Sequence, residues 1–122
     1  SAYFKEGIVS YTNEAKHRLL GVKEQTLSQY GAVSRETAVE MAKGARENCN
    51  ADYALSITGI AGPDGAVPGK PVGTVWIGLA DREQAYAKKF EFSSDRTRNR
   101  ERAIRNALNL LRLRLLEKET KK

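Results

Sequence analysis

The stretch YALSITGIAGPDGAVPGKPVGTVWIGLADREQAYAKKFEF, from Tyr53 to Phe92, sets the architecture. It holds three β-rich runs, Tyr53 to Ile60, Thr74 to Ala80 and Ala85 to Phe92, set apart by a Gly/Pro loop and by a turn around Asp81 and Arg82. The last two runs are joined too tightly to lie parallel, since a parallel crossover needs a dozen or more residues. All three are therefore expected in one sheet. The connection from Ile57 to Gly73 packs glycines at 59, 62, 65, 69 and 73 together with three prolines. Such spacing is neither a P-loop nor a dinucleotide fingerprint, because it lacks a Gly-Lys-Ser/Thr ending and no helix follows it. It can still bring main-chain N–H groups close to a ligand, or serve only as a connection that needs turn residues.

On the N-terminal side of this stretch, Glu6 to Tyr11 reads as a short strand, and Thr12 or Asn13 caps a helical turn from Lys16 to Leu20 that Gly21 ends. Lys23 to Tyr30 reads as a second helix stopped by Gly31. Ser34 caps a third, SRETAVEMAKGARENC, with Val33, Ala38, Met41, Ala42 and Ala45 on its buried side. Beyond Phe92, Ser94 or Asp95 caps a long basic helix from about Asp95 onward. Its core face is expected at Ile104, Ala107, Leu108, Leu111 and Leu115, and its EKETKK end is expected to fray. Trp76, Tyr30 and Met41 are expected in the core. Helices that must cover both faces of the sheet imply an α/β fold, a layered sandwich with a mixed sheet. The first strand starts at the sixth residue, which would leave a four-stranded sheet with an exposed edge or an open face, so an upstream part of the domain is expected to be absent.

At 122 residues and 13.5 kDa the chain is one domain, and 40% hydrophobic with 30% charged residues is a globular composition. Its uncharged stretches are too short and too broken by Gly and Pro to cross a bilayer. The single Cys49 has no internal disulfide partner and no secretory leader opens the chain, so a bacterial-type cytoplasmic location is expected. The net charge of +6 sits entirely in the tail: residues 1–92 carry eleven basic and eleven acidic side chains, residues 93–122 ten and four. A basic face on an amphipathic helix is ordinarily a solvated one, so nucleic acid is disfavoured as a partner.

Two further segments carry possible chemistry. In SYTNEAKHRLLG, a strand end delivers Tyr11 and, five residues later, Lys16. A partly desolvated lysine there can act as general base to a hydroxyl, with tyrosine relaying or orienting the proton, although most lysines on short helices are simply solvated. His17 is the only histidine, so neither a Ser-His-Asp triad nor a multi-histidine metal site has a candidate, and no metal or cofactor is expected. In FSSDR, Arg96 falls in a first helical turn, against the dipole. That placement suits an arginine turned toward an anion, or one paired with a nearby carboxylate.

Together, SYTNEAKHRLLGV, GAVSRETAVEMAKGA, ADYALSITGIAGPDG with KPVGTVWIGLA, and FSSDR resemble the CinA C-terminal domain family, in the family's order and spacing through nearly all of residues 1–116. The resemblance implies a nicotinamide-nucleotide amidohydrolase (NMN deamidase), which hydrolyses the carboxamide of nicotinamide mononucleotide to nicotinic acid mononucleotide and ammonia. It also implies a three-layer α/β/α sandwich that forms homo-oligomers. It implies a serine/lysine mechanism without histidine or metal: Ser1 matches the nucleophile, Lys16 the proton-accepting lysine and Tyr11 an assisting tyrosine. Thr58 matches the residue heading the glycine loop, and Arg96 matches an arginine near the substrate, suited to a 5′-phosphate. Gly59 to Gly62 are candidates for N–H groups holding the oxyanion.

The family carries a segment upstream of the nucleophile, and this chain begins at the residue matching the nucleophile, so an incomplete and inactive domain is one expectation. The α-amine of Ser1 acting as its own base is a minor alternative. A non-catalytic nucleotide-binding or competence-associated module, and a nucleic-acid role for the basic helix, are the other readings kept open.

Overall fold

The computed structural model describes residues 13–59, 73–91 and 96–120, with side chains for 16–59, 73–91 and 101–117. The strand expected at Glu6 to Tyr11 and most of the glycine-rich connection lie outside the described residues. The element order is α1 (Asn13–Leu20), α2 (Glu24–Tyr30), α3 (Arg35–Cys49), β1 (Ala54–Gly59), β2 (Thr74–Ala80), β3 (Ala85–Glu91) and α4 (Arg96–Thr120). β2 has the limits expected from its sequence, and the other elements agree with their expected limits to within a few residues.

Local chemistry explains the boundaries. Ser34 caps α3, its Oγ accepting from the Thr37 N–H at 3.2 Å while its own hydroxyl donates to the Gly31 carbonyl at 2.9 Å. Thr37 Oγ1 donates to the same carbonyl at 2.7 Å, so the turn before α3 is tied from two sides. α2 has no capping side chain of its own. Glu40, on α3, fills that role by accepting from the Lys23 N–H at 2.8 Å and from Thr26 Oγ1 at 2.7 Å.

The sheet has the order β1-β2-β3 and both pairings are antiparallel. The expected mixed sheet is therefore not what the described strands form. Cross-strand partners share a face, which sorts the side chains. Ser56 with Gly78 and Thr58 with Trp76 face α3, whereas Leu55 with Leu79 and Ile57 with Ile77 face α4. On the α3 side the approach is close: Ser56 Oγ donates to the Ala38 carbonyl at 2.6 Å, and a Cβ on Gly78 would collide with that same carbonyl. On the α4 side Val75 and Ile77 pack against Ala103 and Ala107, with Leu55, Phe90 and Leu110 around them. A second apolar cluster joins Leu20, Val22, Leu27 and Met41, with Ala32 and Ala45 packed on it. Here Gly44 lets α1 cross α3 with no room for a Cβ against the Leu20 backbone. The result is an α/β fold in three layers, α3 on one side of the sheet and α4 on the other.

Three core assignments are corrected. Met41 is buried as expected, but Tyr30 is 43% exposed at the end of α2. Trp76 is half-buried, lying between Thr58 and Lys89 in the register. In α4 the buried positions are Ala103, Arg114 and, as expected, Ala107, with Leu110 and Leu111 half-buried, while Ile104, Leu108 and Leu115 are exposed, Leu108 by 58%. The helix carries two neighbouring stripes at the same spacing, and the sheet takes the smaller one. Alanines allow the helix axis to approach over Val75 and Ile77, and only this rotation brings Arg114 to Asp81. α4 also runs to Thr120, further than the expected fraying. No helix of the described residues is long and apolar enough to cross a membrane.

Candidate functional site

Two ends of β2 concentrate buried polar groups. At its C-terminal end the chain turns through Asp81, whose Oδ1 accepts from the Glu83 and Gln84 N–H groups at 2.8 Å each. Its Oδ2 accepts from Arg114 Nε at 2.7 Å, and the Arg114 guanidinium also reaches Glu117 at 3.0 Å and Glu83 at 3.5 Å. Burial alone would raise the Asp81 pKa, but the hydrogen bonds from Arg114 and the two turn N–H groups outweigh it and hold the carboxyl below its ordinary value. Both carboxylate oxygens and all three guanidinium nitrogens are engaged, which marks an anchor for α4.

The N-terminal end of β2 is different. Thr58 and Gly59 close β1 at this end, and Gly73, at φ 93, turns the chain into Thr74 through a left-handed conformation that favours glycine. Thr58 is buried and donates its hydroxyl proton to the Ala32 carbonyl at 2.7 Å. That bond uses its one proton, so toward any ligand Thr58 can only accept. Gly59 is exposed, and a Cβ on it would come within 2.9 Å of the Thr74 carbonyl, so its smallness is required for strand approach whether or not its N–H meets a ligand.

Lys16 sits on α1 and is only 7% exposed, an unusual place for an ammonium. Desolvation lowers its pKa below the ordinary 10.5, which enlarges the neutral, proton-accepting fraction. Its carbonyl accepts from the Val22 N–H at 3.2 Å, so the turn after α1 fixes the backbone that carries it. Ser1, Tyr11 and Gly62 lie outside the described residues. Arg96 heads α4 in the first turn, as its spacing implied, and its side chain also lies outside them. Of the expected site residues the structure thus places Thr58 and Gly59 together at one sheet end and Lys16 on the helix layer that packs on α3. Among the described residues no three His, Cys, Asp or Glu side chains are grouped to hold a metal ion.

Two polar atoms were missed by sequence reasoning. Thr74 Oγ1 and Glu36 Oε2 are the buried side-chain polar atoms that lack a hydrogen-bond partner among the described residues. Thr74 follows the last glycine of the connection, which was the available signal. Glu36, in the first turn of α3, reads in sequence only as an acid favourable to the helix dipole.

Residues 1–115 match the family model of the CinA C-terminal domain. Relatives include a CinA-like protein of Endomicrobium trichonymphae, 51% identical over 120 residues, which are 98% of this chain and 28% of that protein. A putative competence-damage inducible protein of Thermoanaerobacter sp. (strain X514) is 53% identical over 95% of this chain, again 28% of its own length. Among solved structures, the competence/damage inducible protein CihA from Agrobacterium tumefaciens superposes with a TM-score of 0.80 at 41% identity, covering 84% of this chain and 63% of that one. A CinA superfamily protein from Enterobacter cloacae gives 0.85 at 35% identity, covering 89% and 64%. The chain therefore spans under a third of those curated relatives and under two thirds of those solved chains. Sequence, fold and the match through residues 1–115 agree: the chain belongs to the CinA C-terminal domain family.

Proposed function

We propose that this domain hydrolyses the carboxamide of nicotinamide mononucleotide to nicotinic acid mononucleotide and ammonia. The observation that carries this reading is Lys16, a lysine embedded in the helix layer with its pKa lowered by burial, at the position matching the family's proton acceptor. The neutral amine takes the Ser1 hydroxyl proton as the serine oxygen attacks the amide carbonyl, then gives that proton to the departing nitrogen, which leaves as ammonia. Water repeats the sequence on the acyl-serine: Lys16 accepts its proton and returns it to the serine oxygen. Tyr11 orients this pair, N–H groups of Gly59 to Gly62 face the oxyanion, Thr58 lies beside the substrate and Arg96 takes the 5′-phosphate. The working unit on this reading is a cytoplasmic homo-oligomer.

The test is ammonia release from nicotinamide mononucleotide by this chain, beside a version extended with the part of an E. coli or A. tumefaciens family member that has no counterpart here. Activity in either supports the reading, and Lys16→Ala should reduce it by at least about a hundredfold with the fold intact. The rate should rise with pH through a value below 10.5, the direction set by the desolvated amine. Retained activity in Lys16→Ala rejects the serine/lysine mechanism. A second reading is a non-catalytic nucleotide-binding or competence-associated module, the latter in keeping with the competence-damage names that relatives carry. Nucleotide binding without ammonia release in both versions would select it.

A further inference from the structure

Lys16 is 7% exposed, yet the helix that carries it has only eight residues, and an ammonium is better solvated by water than by apolar neighbours. Helices shorter than about 12–15 residues are marginal on their own, so neither α1 nor the seven-residue α2 holds its place by itself. Something outside α1 must keep the amine out of water. The turn between the two helices is closed locally. Gly21, at φ 71, lets the Val22 N–H reach the Lys16 carbonyl at 3.2 Å and sends its own N–H to the His17 carbonyl at 3.0 Å, while His17 Nδ1 donates to the Val22 carbonyl at 2.7 Å. These bonds lie within the turn itself.

The hold from outside comes from α3. Glu40, Gly44 and Asn48 recur at four-residue spacing and so share one face of that helix. All three meet the unit formed by α1, the turn and α2. Asn48 Nδ2 donates to the Leu19 carbonyl, one of those that the end of α1 leaves without a partner inside the helix. Gly44 lies against the backbone of Leu20, whose carbonyl would collide with a Cβ. Glu40 takes the Lys23 N–H and the Thr26 hydroxyl at the start of α2. Polarity is matched at both ends, a donor at the negative end of α1 and a carboxylate at the positive end of α2. Met41 and Ala45, each one position further on, close the same seam against Leu20, Val22 and Leu27. We propose that Gly44 and Asn48 are positioning residues for Lys16: they dock the end of α1 on α3 and so keep the amine buried for the proton transfer assigned to it above, a role that rests on the hydrolase reading. Glu40 secures the helix that follows, and with it the far side of the turn.

The test reads Lys16 directly. This chain is acetylated briefly with an N-hydroxysuccinimide ester below its Tm, and modification of Lys16 is compared with that of the exposed Lys88 by peptide mass spectrometry. Gly44→Ala pushes α1 off α3 and should raise the ratio of Lys16 to Lys88 modification at least about fivefold, and Asn48→Asp, which keeps the shape and removes the donor, about two- to threefold. Asn48 is exposed, so its variant folds even if Gly44→Ala does not. In the version that releases ammonia, both substitutions should lower kcat and leave KM within about twofold, as expected when a proton acceptor is displaced and substrate contacts are not. A ratio unchanged in folded Asn48→Asp, or a KM that rises as much as kcat falls, would each overturn the proposal. A raised ratio in the variants of a parent that releases no ammonia in either version would reject the hydrolase reading and leave the hold on Lys16 standing.

Discussion

The two ends of β2 are built from similar materials and treated oppositely. At Asp81 a buried carboxylate meets a buried guanidinium, two turn N–H groups complete it, and Glu117 and Glu83 share the remaining guanidinium donors. At Thr74, on the same strand, a buried hydroxyl is shut away with nothing to bond among the described residues. The first end shows what the fold does when a polar group is there to hold an element in place. Buried polarity is expensive in both places, and at the first the cost is offset by partners inside the molecule.

The contrast is tested most severely at its satisfied end. Asp81→Ala removes the turn acceptor and strands Arg114, 5% exposed in its side chain, and should lower Tm more than any other single substitution proposed for β2 or its contacts. Adding Arg114→Met should recover part of that loss, because the stranded charge is then gone. No recovery would mean that the turn, and not the ion pair, carries the effect. The same end sets the acid limit. The Asp81 pKa is lower folded than unfolded, so its contribution is complete above the ordinary carboxylate value and is lost as pH falls through the depressed one. Acid unfolding of Asp81→Asn should be less steep in that window than that of the parent.

A smaller effect is expected from Thr58→Val, which leaves the Ala32 carbonyl without its donor and should cost roughly 1–3 kcal/mol by chemical denaturation. A cost near zero would mean that the bond from Thr58 to Ala32 adds nothing to stability. Ser34→Ala, which uncaps α3, comes next at about 1 kcal/mol. Smallest of all is Thr74→Val, expected to be neutral or slightly stabilising. If its cost matched that of Thr58→Val, the two ends of β2 would be alike after all.

Much of the fold was legible because it is local. β2 is alternation bounded by Gly73 and Asp81, and α3 begins at a serine that can bond back three residues, so neither needs the rest of the chain. α4 was legible as a helix but not as a packed one. Hydrophobicity favours its leucine stripe, yet two stripes at one spacing differ only in what faces them, and the sheet selects the alanines. The site divides in the same way. Lys16 and Thr58 stood out by motif, whereas nothing local says that Lys16 is buried or that the Thr58 proton is already spent on Ala32.

Capping, turn chemistry and alternation act over a few neighbouring positions, and for that reason the order of amino acids was enough to reveal the described elements and the antiparallel hairpin of β2 and β3, as the motifs were to point to the family and the candidate residues. Three things waited on the folded chain: which stripe of α4 is core, that Asp81 and Arg114 are partners across 33 positions, and that Thr74 Oγ1 and Glu36 Oε2 are buried without one among the described residues. Burial and hydrogen-bond satisfaction depend on what distant segments bring to the same place, and no spacing along the chain encodes that directly.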